Sequence, residues 1–84
     1  MTLMKAFNAQ ARNQLLRRRD SLLRGNTASL GDGERVELTD IDAALARLAN
    51  GRYGDCERCG GPIGMQRLRA MPEARVCLSC REET

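Results

Sequence analysis

The chain has 84 residues and a net charge of +3, and Phe7 and Tyr53 are its only aromatic residues. This length allows one domain at most, and so small a core usually needs a metal, a disulfide or a partner to be stable. No apolar run is long enough for a signal peptide or a membrane span, so we expect a cytoplasmic protein.

The first predicted element is a helix over residues 3–24, which contain neither glycine nor proline. Apolar residues recur there at spacings of three, four, four and seven, the stripe of an amphipathic helix: Met4, Phe7, Ala11, Leu15 and Leu22. Residues 1–24 carry six basic side chains and one acidic side chain. This segment is therefore strongly basic.

Residues 25–33, GNTASLGDG, predict a loop, and residues 34–50 predict a second helix. Its apolar residues follow the three-four-three spacing of a coiled-coil seam: Leu38, Ile41, Leu45 and Leu48. Two starts compete, a cap at Asp32 and a capping box from Thr39 to Asp42. We prefer the earlier start because the seam already includes Leu38. The Asn-Gly pair at 50–51 is typical of a helix end.

Two amphipathic helices joined by a short polar loop predict an antiparallel coiled-coil hairpin over residues 1–51. Residues 25–50 hold five acidic and two basic side chains, so the second helix can attract the basic first helix. The arginine run 17–19 would then either face solvent, pair with acids across the hairpin, or bind a partner.

From Tyr53 onward the pattern has no sustained period, and all four cysteines lie in this part of the chain. We predict a compact module over residues 52–84 with a short final helix from Leu78. The fold class is therefore small and mostly α, a helical hairpin followed by a four-cysteine globule.

The cysteines form two pairs, each with two residues between its members: Cys56 and Cys59, then Cys77 and Cys80. Two such knuckles can point four thiolates at one ion, and the spacing is typical of a structural zinc site. Gly60 can provide the turn after the first knuckle, whereas Arg81 follows the second. We predict one structural Zn²⁺ bound by these four residues.

Two other interpretations of the cysteines remain. A thioredoxin-like redox pair would need a βαβ pattern, which the sequence does not show. Two disulfides would require an oxidising compartment. The chain also has no histidine and no glycine-rich phosphate loop, and we find no plausible nucleophile–base pair, so we expect no enzymatic activity.

The C-terminal half resembles the DnaK-suppressor (DksA/TraR) family of bacterial proteins. The resemblance covers residues 38–81 and rests on four features. These are the Gly-x-Tyr-Gly-x-Cys segment that begins at Gly51, the Cys-Gly-x-x-Ile that begins at Cys59, the Arg-Leu-x-Ala-x-Pro that begins at Arg67, and the closing Cys-x-x-Cys. It implies the same fold, a coiled-coil hairpin mounted on a four-cysteine zinc globule.

The resemblance also implies a function. Family members bind bacterial RNA polymerase directly and insert the hairpin into its secondary channel, often together with the alarmone guanosine tetraphosphate of the stringent response. We therefore expect a transcription regulator that binds polymerase, with the alarmone at the shared interface. We expect a monomer that contacts neither DNA nor a membrane. The candidate partner-binding residues lie at and beside the predicted tip: Asp32, Glu34, Arg17, Arg18 and Arg19.

The chain departs from the family at this tip. Well-studied members carry Asp-x-x-Asp-x-Ala there, and the nearest string here, Asp40-Ile-Asp42-Ala-Ala44, is one residue short and lies inside the predicted second helix. An alternative function is therefore a zinc-stabilised protein-interaction module that keeps the scaffold without the activity of the tip. A third, a nucleic-acid-binding zinc ribbon, is disfavoured because the zinc module carries six arginines against five acids and little aromatic surface.

Overall fold

Four α-helices form the regular structure: α1 (Thr2–Arg24), α2 (Asp32–Ala49), α3 (Met65–Ala70) and α4 (Leu78–Glu82). The computed structural model describes residues 2–25 and 30–82. Over those residues there is no β-strand, only an isolated antiparallel bridge between Asp55 and Pro62. The prediction of a small, mostly α protein is confirmed.

α1 and α2 pack against each other as the predicted antiparallel hairpin. Four of the five buried side chains between them belong to the predicted stripes: Leu15, Leu22, Ile41 and Leu48. The fifth, Ala44, lies outside the predicted seam. Leu38 and Leu45 are partly buried beside them. The side chain of Met4 and residues 26–29 of the predicted loop lie outside the described part of the chain. The hairpin core is thus almost wholly aliphatic.

The start of α2 differs in detail from the prediction. Gly31 is the N-cap, and its extended backbone has φ −72° and ψ 168°. The Gly31 N–H donates to the carboxylate of Glu34, the third helical residue, at 3.1 Å. This is the bond by which the third residue of a capping box accepts from the N-cap backbone. The prediction that Asp32 is the cap is wrong, because Asp32 already lies in the first helical turn. The Thr39 alternative is also wrong, since its hydroxyl donates to the Arg35 carbonyl within the helix.

The end of α2 is a Schellman motif. Asn50 is the C-cap, and Gly51 follows with φ 72° in the left-handed region. The Arg52 N–H donates to the Arg47 carbonyl at 2.8 Å, and the Gly51 N–H donates to the Leu48 carbonyl at 3.4 Å. The chain therefore leaves the helix where the Asn-Gly pair predicts.

The C-terminal part contains one helix that the sequence pattern did not predict. α3 begins after Gly64, which has φ 106°, and buries Leu68. α4 begins at the predicted Leu78. A second core collects here around two of the cysteines, with these buried members: Cys56, Ile63, Leu68, Ala74 and Cys80.

The two cores meet at the base of the hairpin. Tyr53 packs against both cores, and Phe7 of α1 packs against the second. The ring centroids of Phe7 and Tyr53 are 6.4 Å apart. In the described residues no helix is both long and apolar enough to cross a lipid bilayer.

Candidate metal centre

All four predicted cysteine ligands come together in one cluster. The four Sγ atoms lie within 4.8 Å of one another. Cys56 and Cys80 have Sγ atoms 3.6 Å apart, and the Sγ atoms of Cys59 and Cys77 are 3.8 Å apart. A tetrahedral Zn²⁺ with thiolates at about 2.3 Å requires sulfur–sulfur separations of about 3.8 Å. The four thiols are free rather than joined in disulfides, and their arrangement fits one zinc ion.

The first knuckle has the backbone geometry that points its sulfurs inward. The Gly60 N–H donates to the Cys56 carbonyl at 2.9 Å, and Gly60 adopts φ 77°. Cys56 Sγ accepts from the N–H groups of Cys59 at 3.5 Å and of Cys77 at 3.3 Å. Because the second of these bonds comes from the other knuckle, it ties the two knuckles together at the sulfurs.

In the second knuckle, a helix orients the two sulfurs toward the cluster. Cys77 precedes α4 and Cys80 lies within it, and the Arg81 N–H donates to the Cys77 carbonyl at 3.0 Å. A helical turn places residues three apart on one face, so both sulfurs point the same way. This explains why Arg81 can stand where the first knuckle has a glycine.

The protonation of the cluster favours a cation at its centre. Backbone N–H donation, chiefly from Cys59, lowers the pKa of the Cys56 thiol to about 6. Burial raises the pKa of the Cys80 thiol to about 12. Four thiolates so close together repel one another, and a divalent cation supplies the charge that keeps all of them ionised. The donor set is therefore suited to a structural metal.

A chain of ion pairs joins the cysteine cluster to α2. Glu57, which follows Cys56, accepts from Arg47 of α2 at one carboxylate oxygen and from Arg75 at the other, both at 2.8 Å. Arg75 also reaches Asp40 of α2 at 3.3 Å. The hydrogen bond to Glu57, and after it the weaker effect of the bond to Asp40, raises the pKa of Arg75 above its ordinary value. Arg47 donates in addition to the Ala74 carbonyl at 3.2 Å.

The candidate partner-binding arginines divide into two groups. Arg18 donates to both carboxylate oxygens of Glu37, at 2.6 and 2.9 Å, and Arg19 donates to Asp42 at 2.7 Å. The bond from Arg18 lowers the pKa of Glu37. Arg17 is exposed and has no ion pair within the described residues. Two of the three arginines thus form ion pairs between α1 and α2.

The candidate acidic residues lie at the start of α2, next to the predicted tip. Asp32 and Glu34 are both exposed in the first turn. Asp40 and Asp42, which belong to the string nearest to the family's tip motif, lie inside α2 and are paired with Arg75 and Arg19. They are therefore structural partners of arginines rather than tip residues.

Sequence reasoning missed the ion pairs between α2 and the zinc module. Glu57 and Arg75 carry no motif, and only their positions beside Cys56 and Cys77 could have drawn attention to them. It also missed the bond from the Tyr53 hydroxyl to the Pro72 carbonyl, at 2.9 Å. The predicted match to the Arg-Leu-x-Ala-x-Pro segment covers that proline but does not say what it contacts.

The comparisons with known proteins agree with this geometry. The prokaryotic dksA/traR C4-type zinc finger model matches residues 51–84. Transcription factor DksA2 from Pseudomonas aeruginosa superposes with a TM-score of 0.74 at 32% identity, covering 93% of this chain and 82% of that one. The chain belongs to the DksA/TraR family.

Two further DksA/TraR relatives extend the comparison. The RNA polymerase binding protein and transcriptional regulator from Chlamydia trachomatis superposes with a TM-score of 0.78 at 29% identity, covering 90% of this chain and 84% of that one. RNA polymerase-binding transcription factor DksA from Caulobacter vibrioides is 43% identical over 51 residues, which are 61% of this chain and 36% of that protein. The first curated relatives are thus matched over 36–38% of their length.

Membership in this family together with the cysteine cluster identifies the cofactor. The matched finger is of the C4 type, and four cysteines lie at metal-binding distance. The protein has one structural zinc site. The relatives described above are named transcription factors or regulators and not enzymes.

Proposed function

We propose that this protein regulates bacterial transcription by binding RNA polymerase directly, with the helical hairpin inserted into the secondary channel. The observation that carries the proposal is the structural match to DksA2 over 93% of the chain. The hairpin and the zinc module are thus both present in a relative named a transcription factor. Such a role would place the protein in the cytoplasm and requires no contact with DNA.

The proposal assigns different tasks to the two parts of the chain. The hairpin of α1 and α2 enters the channel, and residues 52–82 form the mount that meets the outer surface of the polymerase. Cys56, Cys59, Cys77 and Cys80 hold the zinc. A closed site of four thiolates leaves no open coordination position, so its task is to keep the mount folded.

We assign contact with the polymerase to the exposed charges near the tip. Asp32 and Glu34 are the acidic groups that would meet basic groups or a metal ion near the polymerase active site. Arg17 is the member of the arginine run that forms no ion pair among the described residues. Complementary charges of this kind raise the rate of association, and the attraction between them weakens as the salt concentration rises.

Binding is tested with core RNA polymerase. The zinc-loaded chain should be retained by immobilised polymerase, and Arg17→Gln should weaken retention more than Arg12→Gln. Arg12 is a matched control because it is also an exposed arginine of α1 but lies five residues further from the tip. No retention of the parent chain at micromolar concentration would contradict the proposal.

Regulation is tested by transcription in vitro from a ribosomal RNA promoter. The zinc-loaded protein is compared with Cys56→Ser, each with and without guanosine tetraphosphate. We expect repression by the parent protein alone, with a larger effect when the alarmone is present. Equal activity of Cys56→Ser would show that the folded zinc module is not required.

The tip supports a second candidate function, a zinc-stabilised interaction module without the activity of the acidic tip. Its basis is that both aspartates of the nearest motif-like string are paired within the structure. The two functions differ in the same assays. Polymerase retention without any change in transcription would favour the second one, as a competitor for the channel.

A further inference from the structure

Besides the packing of Tyr53 on the hairpin core and the bond from Arg47 to the Ala74 carbonyl, the described residues of the hairpin and the zinc module meet at three places. On α1, Phe7 packs against Tyr53, and the Arg69 guanidinium lies 5.9 Å from the centroid of the Phe7 ring. On α2, Arg47 pairs with Glu57 and Asp40 pairs with Arg75. The two contact points on α2 are seven residues apart, which is about 10 Å along a helix axis. Two points on one helix and a third on its neighbour can define the tilt of the module.

Apolar packing leaves this junction incompletely filled. A cleft of about 500 Å³ opens between α2 and the zinc module, beside Asp40 and Arg75, and its lining includes the exposed Val36 and Met71. A second cavity, of about 290 Å³, lies between the hairpin seam and residues 69–73. Both are open to solvent, so the side chains of the two parts do not interlock along these stretches. The angle between the two parts is therefore not determined by interlocking side chains alone.

Arg75 connects Glu57 of the zinc module to Asp40 of α2. Its Nε donates to Glu57 and its Nη1 donates to Asp40, so one planar guanidinium spans the zinc module and α2. The fork of an arginine fixes direction as well as distance, which a lysine would not do. Its backbone is held as well, because the Glu57 N–H donates to the Arg75 carbonyl at 2.9 Å.

We propose that Arg75, clamped between Glu57 and Asp40, is a positioning residue that sets the angle between the hairpin and the zinc module. The side chains of this network are partly exposed, at 39% for Arg75 and 28% for Asp40. Ion pairs at such exposure add little to stability. Their effect here is on orientation, and under the function proposed above that orientation decides where the hairpin tip points when the module is seated on polymerase.

The test measures orientation without polymerase. Residual dipolar couplings of the ¹⁵N-labelled, zinc-loaded full chain are recorded in a stretched polyacrylamide gel. One alignment tensor is fitted to the amides of α1 and α2, and another to those of residues 52–81. In the parent protein we expect the two tensors to agree. In Arg75→Gln and in Asp40→Asn we expect them to differ in magnitude and axes, with urea midpoints close to that of the parent.

Arg19→Gln is the matched control. Arg19 is exposed to 43% and its ion pair with Asp42 joins α1 to α2 within the hairpin. Its loss should leave the two tensors in agreement. If Arg75→Gln fails to bind zinc, Asp40→Asn decides alone, since Asp40 lies on α2 and away from the cysteines.

Two results would overturn the proposal. Tensors that stay in agreement in both Arg75→Gln and Asp40→Asn would show that packing alone sets the angle. The same agreement accompanied by a large fall in the urea midpoint would assign Arg75 to stability only. Neither result bears on binding to polymerase. If the pull-down fails, the proposed function fails, but the tensors still test whether Arg75 sets the angle.

Discussion

At the scale of single residues, Tyr53 is the side chain that belongs to both cores. Its ring packs between the hairpin core and the zinc module, and its hydroxyl donates to the Pro72 carbonyl. Burial raises the pKa of Tyr53 to about 12. The folded protein thus favours the neutral phenol, whereas an unfolded tyrosine ionises near pH 10. The stabilisation is complete below pH 10 and is lost as the pH rises from 10 to 12.

Replacing Tyr53 by phenylalanine should therefore have an effect that depends on pH. At pH 8 we expect Tyr53→Phe to lower the free energy of unfolding by about 1 kcal/mol, because one hydrogen bond is lost. Above pH 10 the difference from the parent should narrow. Urea unfolding of both zinc-loaded proteins from pH 8 to 11 measures it. Since Tyr53 is the only tyrosine, phenolate absorbance follows its ionisation directly. A difference that stays constant over this range would contradict the assignment.

At the scale of elements, the hairpin depends on a narrow apolar seam. Ile41 of α2 is fully buried, whereas Val36, one turn and a half earlier on the same helix, is 60% exposed. Ile41→Ala removes methyl groups from the centre of the core and should lower the free energy of unfolding by about 2–5 kcal/mol. Val36→Ala should change it by less than about 0.5 kcal/mol. Urea midpoints of the zinc-loaded proteins measure both, and equal losses would show that the seam is placed wrongly.

The two ends of α2 provide a matched pair of glycines. An added Cβ meets nothing within 4 Å at Gly33 or at Gly51, so only the backbone distinguishes them. Gly33 lies in the helix, and Gly33→Ala should stabilise the protein by about 0.4–1 kcal/mol. Gly51 has φ 72°, and Gly51→Ala should destabilise it by about 1–2 kcal/mol. Thermal unfolding of the two variants beside the parent should give shifts of opposite sign, and shifts of the same sign would refute the Schellman end.

At the scale of the whole molecule, the metal accounts for much of the folding free energy of the C-terminal part. Its core is small, and two of the five buried members are cysteines of the cluster. Zinc binding contributes on the order of 10–16 kcal/mol in zinc-finger peptides, as much as the stability of a typical domain. The zinc module should therefore be folded only when it is loaded.

Removing zinc with a chelator should abolish the ordered amide spectrum of residues 52–81, and added zinc should restore it. Cys80→Ser should do the same without a chelator, because three thiolates no longer close the site. Ser79→Ala is the matched control, since Ser79 is exposed and lies between the two ligands of the second knuckle. Zinc content and nuclear magnetic resonance spectra measure the effect. A dispersed spectrum that survives full chelation would contradict the role of the metal.

Much of the architecture could be predicted from local signals. These signals each extend over a few residues and can therefore be recognised in the sequence: the apolar spacing in each helix, the Asn-Gly pair at 50–51 and the two Cys-x-x-Cys knuckles. α3 escaped because six residues are too few to show a helical period, although Gly64 before it and Pro72 after it mark its limits. The cap of α2 was misassigned by one residue, because Gly31 and Asp32 are both plausible caps and only the observed backbone angles distinguish them.

The two amphipathic helices and the four-thiolate cluster could be predicted from the sequence, because periodicity and ligand spacing are properties of neighbouring residues. Which charged side chains form ion pairs depends instead on how the elements pack. Asp40 and Asp42 are two residues apart, yet one pairs with the zinc module and the other with α1. Successive positions on a helix face different neighbours, so their partners depend on how the module is seated against the hairpin. That seating rests on contacts between residues far apart in the chain, and no local pattern encodes it.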